Sequence, residues 1–63
     1  MDPKEIFELI ISADEKLKYA TADKTGKRTQ QARDLLTQAL DAARAIGNDA
    51  LVQQAELRLS DLA

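Results

Sequence analysis

Ala32-Arg33-Asp34-Leu35-Leu36-Thr37-Gln38-Ala39-Leu40-Asp41-Ala42-Ala43-Arg44-Ala45-Ile46-Gly47-Asn48 is the stretch that decides the fold. Its apolar residues, Ala32, Leu35, Leu36, Ala39, Leu40, Ala43 and Ile46, recur at i, i+3, i+4 and i+7 without a gap. That spacing lays one apolar stripe along an α-helix, with Asp34, Gln38 and Asp41 on the reverse face. Gly47 follows the last apolar position, where a left-handed C-terminal cap favours glycine. Asn48 is a good N-cap for whatever comes next. One helix therefore ends and another begins within two residues, and two helices joined so tightly run nearly antiparallel.

Working outward, the third helix is predicted from about Asp49 to Leu62 (49–62), with Leu51, Ala55, Leu59 and Leu62 as its stripe and Val52 on the shoulder. Toward the N-terminus, residues 21–27 (Thr-Ala-Asp-Lys-Thr-Gly-Lys) break the periodicity. Thr and Asp compete for helical backbone bonds, and Gly26 permits a turn, so the second helix is predicted over about 27–46. The first helix is predicted over about 3–20. Asp2 offers a cap, Pro3 fits the first helical position, and Glu5 stands where a capping box places a carboxylate. Ile6, Ile10, Ala13, Leu17 and Ala20 fall on its apolar stripe, and Asp14 and Lys18 form a favourable i,i+4 pair. The expected architecture is all-α: one domain, residues 1–63, folded as a three-helix up-down-up bundle. Ile10, Leu17, Leu36, Leu40, Leu51 and Leu59 are its expected core.

The Ala32-x-x-x-Leu36-x-x-Ala39-Leu40 pattern resembles the second helix of a tetratricopeptide repeat, and residues 39–48 are similar to the helix exit of longer bacterial versions. Ala55, Leu59 and Ser60 match the opening helix of a following repeat, so the resemblance covers residues 32–63. It implies a tetratricopeptide-like hairpin of helices 2 and 3 and a role in protein–protein contact. Helix 1 and the 21–27 segment do not carry the repeat's small-residue and aromatic pattern. A three-helix bundle of generic type, or one similar to the microtubule-interacting-and-trafficking domain, is an equal architectural match.

Composition narrows the chemistry. The chain of 63 residues has no Cys and no His, so disulfides, zinc-finger-type sites and thiol catalysis are ruled out together. Stability has to come from helix packing or self-association. The net charge of −2 gives no general pull toward nucleic acid or an anionic membrane. No apolar run approaches the ~20 residues that span a bilayer, and the acidic start Met1-Asp2-Pro3-Lys4-Glu5 is unlike a secretory signal. The cytoplasm is the expected location. No catalytic, cofactor or metal site is expected. Ser12 and Ser60 have no histidine to activate them. Glu5/Glu8 lie on a polar helix face and Asp14/Glu15 diverge by about 100°. Thr25-Gly26-Lys27 resembles the end of a phosphate-binding loop but has Thr21 and Arg28 where that motif needs Gly and Ser/Thr.

Two candidate surfaces remain. Phe7 and Ile11 lie roughly 80–140° off the centre of helix 1's stripe and adjoin at i,i+4. They widen its apolar arc to about 200°, against the ~100° that a one-sided helix needs. Leu57 stands on the polar side of helix 3, and Tyr19 lies about 180–200° from helix 1's stripe, placed as a possible anchor for a partner. These four residues are the candidate protein interface, for a protein partner or a homodimer. Lys24, Lys27, Arg28 and Arg33, against Asp23, make residues 21–33 locally +3 on an acidic chain. This cluster is the candidate anion contact. It is the basis of a second reading, a nucleic-acid- or phosphate-binding accessory protein, although no aromatic side chain interleaves with the charges in sequence to stack bases.

Overall fold

The computed structural model describes residues 1–19 and 25–62. Three helices, α1 (Pro3–Lys18), α2 (Thr25–Ala45) and α3 (Asp49–Leu62), account for 89% of those residues, and no strand occurs among them. Ala20, the expected last position of helix 1's stripe, lies outside the described residues, as do Thr21 to Lys24.

Each helix end follows from local chemistry. Asp2 is extended (φ −85°, ψ 165°), and its carboxylate accepts from the Glu5 N–H at 2.8 Å. One of the amides that a helix start leaves without an intrahelical partner is thereby satisfied. Helix α1 stops at Lys18, two residues before the expected end, with Tyr19 as its C-cap. At the other connection the Gly47 N–H donates to the Arg44 carbonyl (3.1 Å) and the Asn48 N–H to the Ala43 carbonyl (2.9 Å). This pair of bonds is the Schellman arrangement, and it requires the left-handed backbone of Gly47 at φ 69°. Asn48 then caps α3: its Oδ1 accepts from the Leu51 N–H at 3.1 Å, while its carbonyl accepts from the Val52 N–H at 3.0 Å. Two adjacent residues thus end one helix and begin the next.

The start of α2 differs from expectation. The helix begins at Thr25, not near residue 27, and it ends at Ala45. Gly26 sits inside the first turn with no positive φ, so it makes no turn, and no atom lies within 4 Å of where its Cβ would be. A glycine costs a helix roughly 1 kcal/mol against alanine. Cooperative growth of the long second helix outweighs that local preference.

Packing centres on α2, which lies extensively against both neighbours, whereas α1 and α3 meet only narrowly. The buried core is Ile6, Ile10 and Ala13 from α1, Ala32, Leu36, Ala39 and Ala43 from α2, and Leu51 and Ala55 from α3. Five of these nine are alanine. Small side chains let helix axes approach toward the short end of the 8–10 Å range, and the larger residues are then displaced to the margins. Leu17, Leu40 and Leu59, expected in the core, are accordingly half-buried and pack against it, while Ile10, Leu36 and Leu51 are buried as expected. Ile46, read as the last residue of the α2 stripe, lies past the helix end and is exposed.

Helices 1 and 3 are tied by a polar clamp. Arg58 Nε donates to Asp14 Oδ1 at 2.8 Å, and its Nη1 reaches the Gln54 carbonyl (3.2 Å) and Gln54 Oε1 (2.8 Å). Asp14 therefore pairs across the bundle and not with Lys18, whose ammonium instead lies 5.5 Å from the centre of the Tyr19 ring. Among the described residues no helix is long and apolar enough to cross a membrane.

Candidate protein interface

The surface candidates divide into two regions on different sides of α1. At 100° per residue, Phe7 and Ile11 fall within about 60° of Asp14. Since Asp14 reaches Arg58 on α3, Phe7 and Ile11 stand on the flank of α1 turned toward α3. Both remain open to solvent, Phe7 at 49% and Ile11 at 38%. The reason is the sparse meeting of α1 and α3: the two helices pack on α2 and leave their mutual groove uncovered. Leu57, 56% exposed, follows Gln54 at i+3 on α3, so it lies beyond the clamp on the opposite rim. The three residues share one side of the molecule as a broken apolar ridge interrupted by the Asp14–Arg58 pair.

Tyr19 belongs elsewhere. It is 61% exposed and lines a depression with Ser12, Glu15, Lys16 and Arg28, between the end of α1 and the start of α2. That depression adjoins a second, of about 230 Å³, lined by Lys16, Lys27, Arg28 and Gln31. A third shares Lys16 and Gln31 and adds Asp34, Leu35 and Gln38. The four residues proposed as one interface are therefore two sets: Phe7, Ile11 and Leu57 on the α1–α3 side, and Tyr19 on the α1–α2 side.

The basic cluster is also divided. Lys27 and Arg28 line the α1–α2 cleft. Arg33, about 140° from Arg28 around α2, turns toward α3 and donates from Nη2 to the Leu62 carbonyl at 3.3 Å. There the guanidinium serves one of the last carbonyls of a helix, where a cation is favoured by the helix dipole. Lys24 lies outside the described residues. The structure adds a cation that the sequence reading missed: Lys16 of α1 faces Lys27 and Arg28 across the cleft. Its position next to Ser12 and Tyr19 on the polar side of α1 was legible, but nothing local says which α2 residues lie opposite.

A further groove of about 480 Å³ runs along the outer face of α3, lined by Asp49, Val52, Gln53, Glu56, Leu57 and Ser60. Its two charges, Asp49 and Glu56, are both acidic and lie along its middle, with Val52 and Leu57 on opposite margins. Among the described residues, no polar or charged side chain is buried and no group of three or more Asp or Glu side chains converges. Searches against protein-family models, curated proteins and solved structures return no match.

Proposed function

We propose that the chain is a small non-catalytic helical module for protein–protein interaction. The observation that carries this reading is the exposure of Phe7, Ile11 and Leu57 beside the groove that α1 and α3 leave uncovered while both pack on α2. Exposed apolar side chains that gather on one face mark interaction surfaces more often than isolated ones do. The small core supports the same reading. With five alanines among nine buried residues the isolated chain has little apolar surface to hide, and association adds burial that the fold lacks.

The tight α2–α3 hairpin, closed by Gly47 and Asn48, supports the tetratricopeptide-like reading of residues 32–63, in which a hairpin presents a face to a protein segment. A generic or microtubule-interacting-and-trafficking-like bundle has the same three helices and would serve the same role. A cytoplasmic setting belongs to this proposal and is compatible with the cysteine-free composition.

Ile11→Glu is the test. Ile11 lies outside the core, so the variant keeps the wild-type helical circular dichroism while losing a protein partner that the wild type retains in affinity capture. An unfolded variant would assign Ile11 to the core. A folded variant that still captures the same partner as the wild type would remove the Phe7/Ile11 ridge from the interface. The second reading, phosphate or nucleic-acid binding through the 24–33 cluster, is supported only by Lys27 and Arg28 in a common cleft. It predicts binding to oligonucleotides that weakens steeply with added salt.

A further inference from the structure

The α1–α2 cleft and the α3 groove are complementary in charge. The cleft gathers Lys16, Lys27 and Arg28 beside Gln31, with the Tyr19 ring at one end and Leu35 in the adjoining depression past Lys16. Two acids reach its rim, Glu15 and Asp34, and Asp34 is held by Gln30 Nε2 at 2.9 Å. The outer face of α3 carries Asp49 and Glu56 along its middle, flanked by Val52 and Leu57, which lie about 140° apart around the helix. Its nearest cation, Arg58, is turned away and engaged by Asp14 and Gln54. One face therefore offers cations and the other carboxylates, each with apolar side chains only at its margins. Each wants a partner of the other's kind.

We propose that the partner is a second copy of this chain, docked head to tail, with the outer face of α3 of one copy seated in the α1–α2 cleft of the next. The proposal goes beyond the interaction-module reading by naming a partner; its α3 face shares Leu57 with the apolar ridge but leaves Phe7 and Ile11 outside the contact. Because the two faces differ, the contact is heterologous and leaves a free cleft at one end and a free groove at the other, so it propagates beyond a dimer. The face of a 14-residue helix buries less than the roughly 1,200 Å² at which stable specific interfaces begin. The association is accordingly weak and steered by charge, not held by a large apolar seal.

Two charge reversals test it with the full chain. Lys27→Glu puts an acid in the first turn of α2, and Glu56→Lys puts a base in the second half of α3. Both are exposed positions; Lys27→Glu suits the N-terminal end of the helix dipole, and Glu56→Lys in mid-helix exchanges one good helix former for another, so each variant keeps its fold. In sedimentation velocity at protein concentrations up to about 1 mM, the wild type self-associates at low salt. Screening of the exposed charges weakens that association by about tenfold or more on raising the salt to about 0.5 M. Each variant alone is folded and monomeric, as read by circular dichroism and sedimentation. An equimolar mixture of the two re-associates, because its junctions unite either an intact pair of faces or a doubly reversed pair. A wild type that stays monomeric at low salt overturns the proposal. So does association that survives both reversals, or a mixture that does not recover. If association persists in both charge variants and is lost only in Ile11→Glu, head-to-tail docking is wrong while the module reading stands.

Discussion

Truncating Leu36 to Ala probes the centre of the molecule. Leu36 is fully buried and, with Ile6 and Ile10, is one of the three largest side chains wholly removed from solvent. It sits on the middle helix, which packs against both others, so a void there is felt by the whole bundle. Leu→Ala truncations in cores cost about 2–5 kcal/mol, depending on how far the surroundings collapse into the space. Here the buried residues that flank Leu36 along α2 are Ala32, Ala39 and Ala43, which have no side-chain reach with which to fill it. The cost therefore stays clear of the lower end of the range, at about 3–4 kcal/mol. A 63-residue domain holds a total of about 3–9 kcal/mol at typical stability per residue. The variant is expected to be largely unfolded, or to melt at least ~12 °C lower at about 4–8 °C per kcal/mol. Thermal and urea melts followed by helical circular dichroism measure this directly. Leu40→Ala, at a half-buried position on the same helix, is the internal control and costs less. A drop of under ~5 °C for Leu36→Ala, or a larger loss for Leu40→Ala, would refute the assignment of the alanine-lined centre as the core.

Gly47→Val is expected to destabilise by more than about 1 kcal/mol, since φ 69° is closed to β-branched residues although no atom crowds the new Cβ; an unchanged melting midpoint would mean that the α2–α3 corner is not built on this backbone. Gly26→Ala goes the other way. Its helical conformation and empty surroundings predict a gain of roughly 0.5 kcal/mol in urea unfolding, and a loss would show that residue 26 is not helical in solution.

The legible part of this fold is the part written in short-range chemistry. Asp2, Gly47 and Asn48 mark helix ends through bonds to atoms three to five residues away, and Pro3 through its fixed φ at the first helical position; the structure uses all four in those roles. The stripe Ala32–Leu36–Ala39–Ala43 is a property of one helix and is buried as its spacing requires. Gly26 is the exception: its turn preference was real but weak, and a 21-residue helix overrode it.

The candidate surfaces were legible only one helix at a time. Periodicity identified Phe7, Ile11, Tyr19 and Leu57 as lying off their stripes, and all four are exposed. It did not say which of them share a side, because that depends on the rotation of each helix about its axis, and the alanine contacts with α2 set that rotation. The same packing separates Arg33 from Lys27 and Arg28, brings in Lys16 from α1, and gives Asp14 to Arg58, 44 residues away, and not to Lys18 one turn on. The sequence by itself determined that there are three helices, where α1 begins and where α2 gives way to α3, since Asp2, Pro3, Gly47 and Asn48 act within a turn of backbone. The end of α1 and the start of α2, which no such signal fixes, fell elsewhere than the sequence implied. Which charges and apolar side chains face one another was decided only by tertiary structure, since it is the close approach of alanine-lined helices that sets their mutual registry.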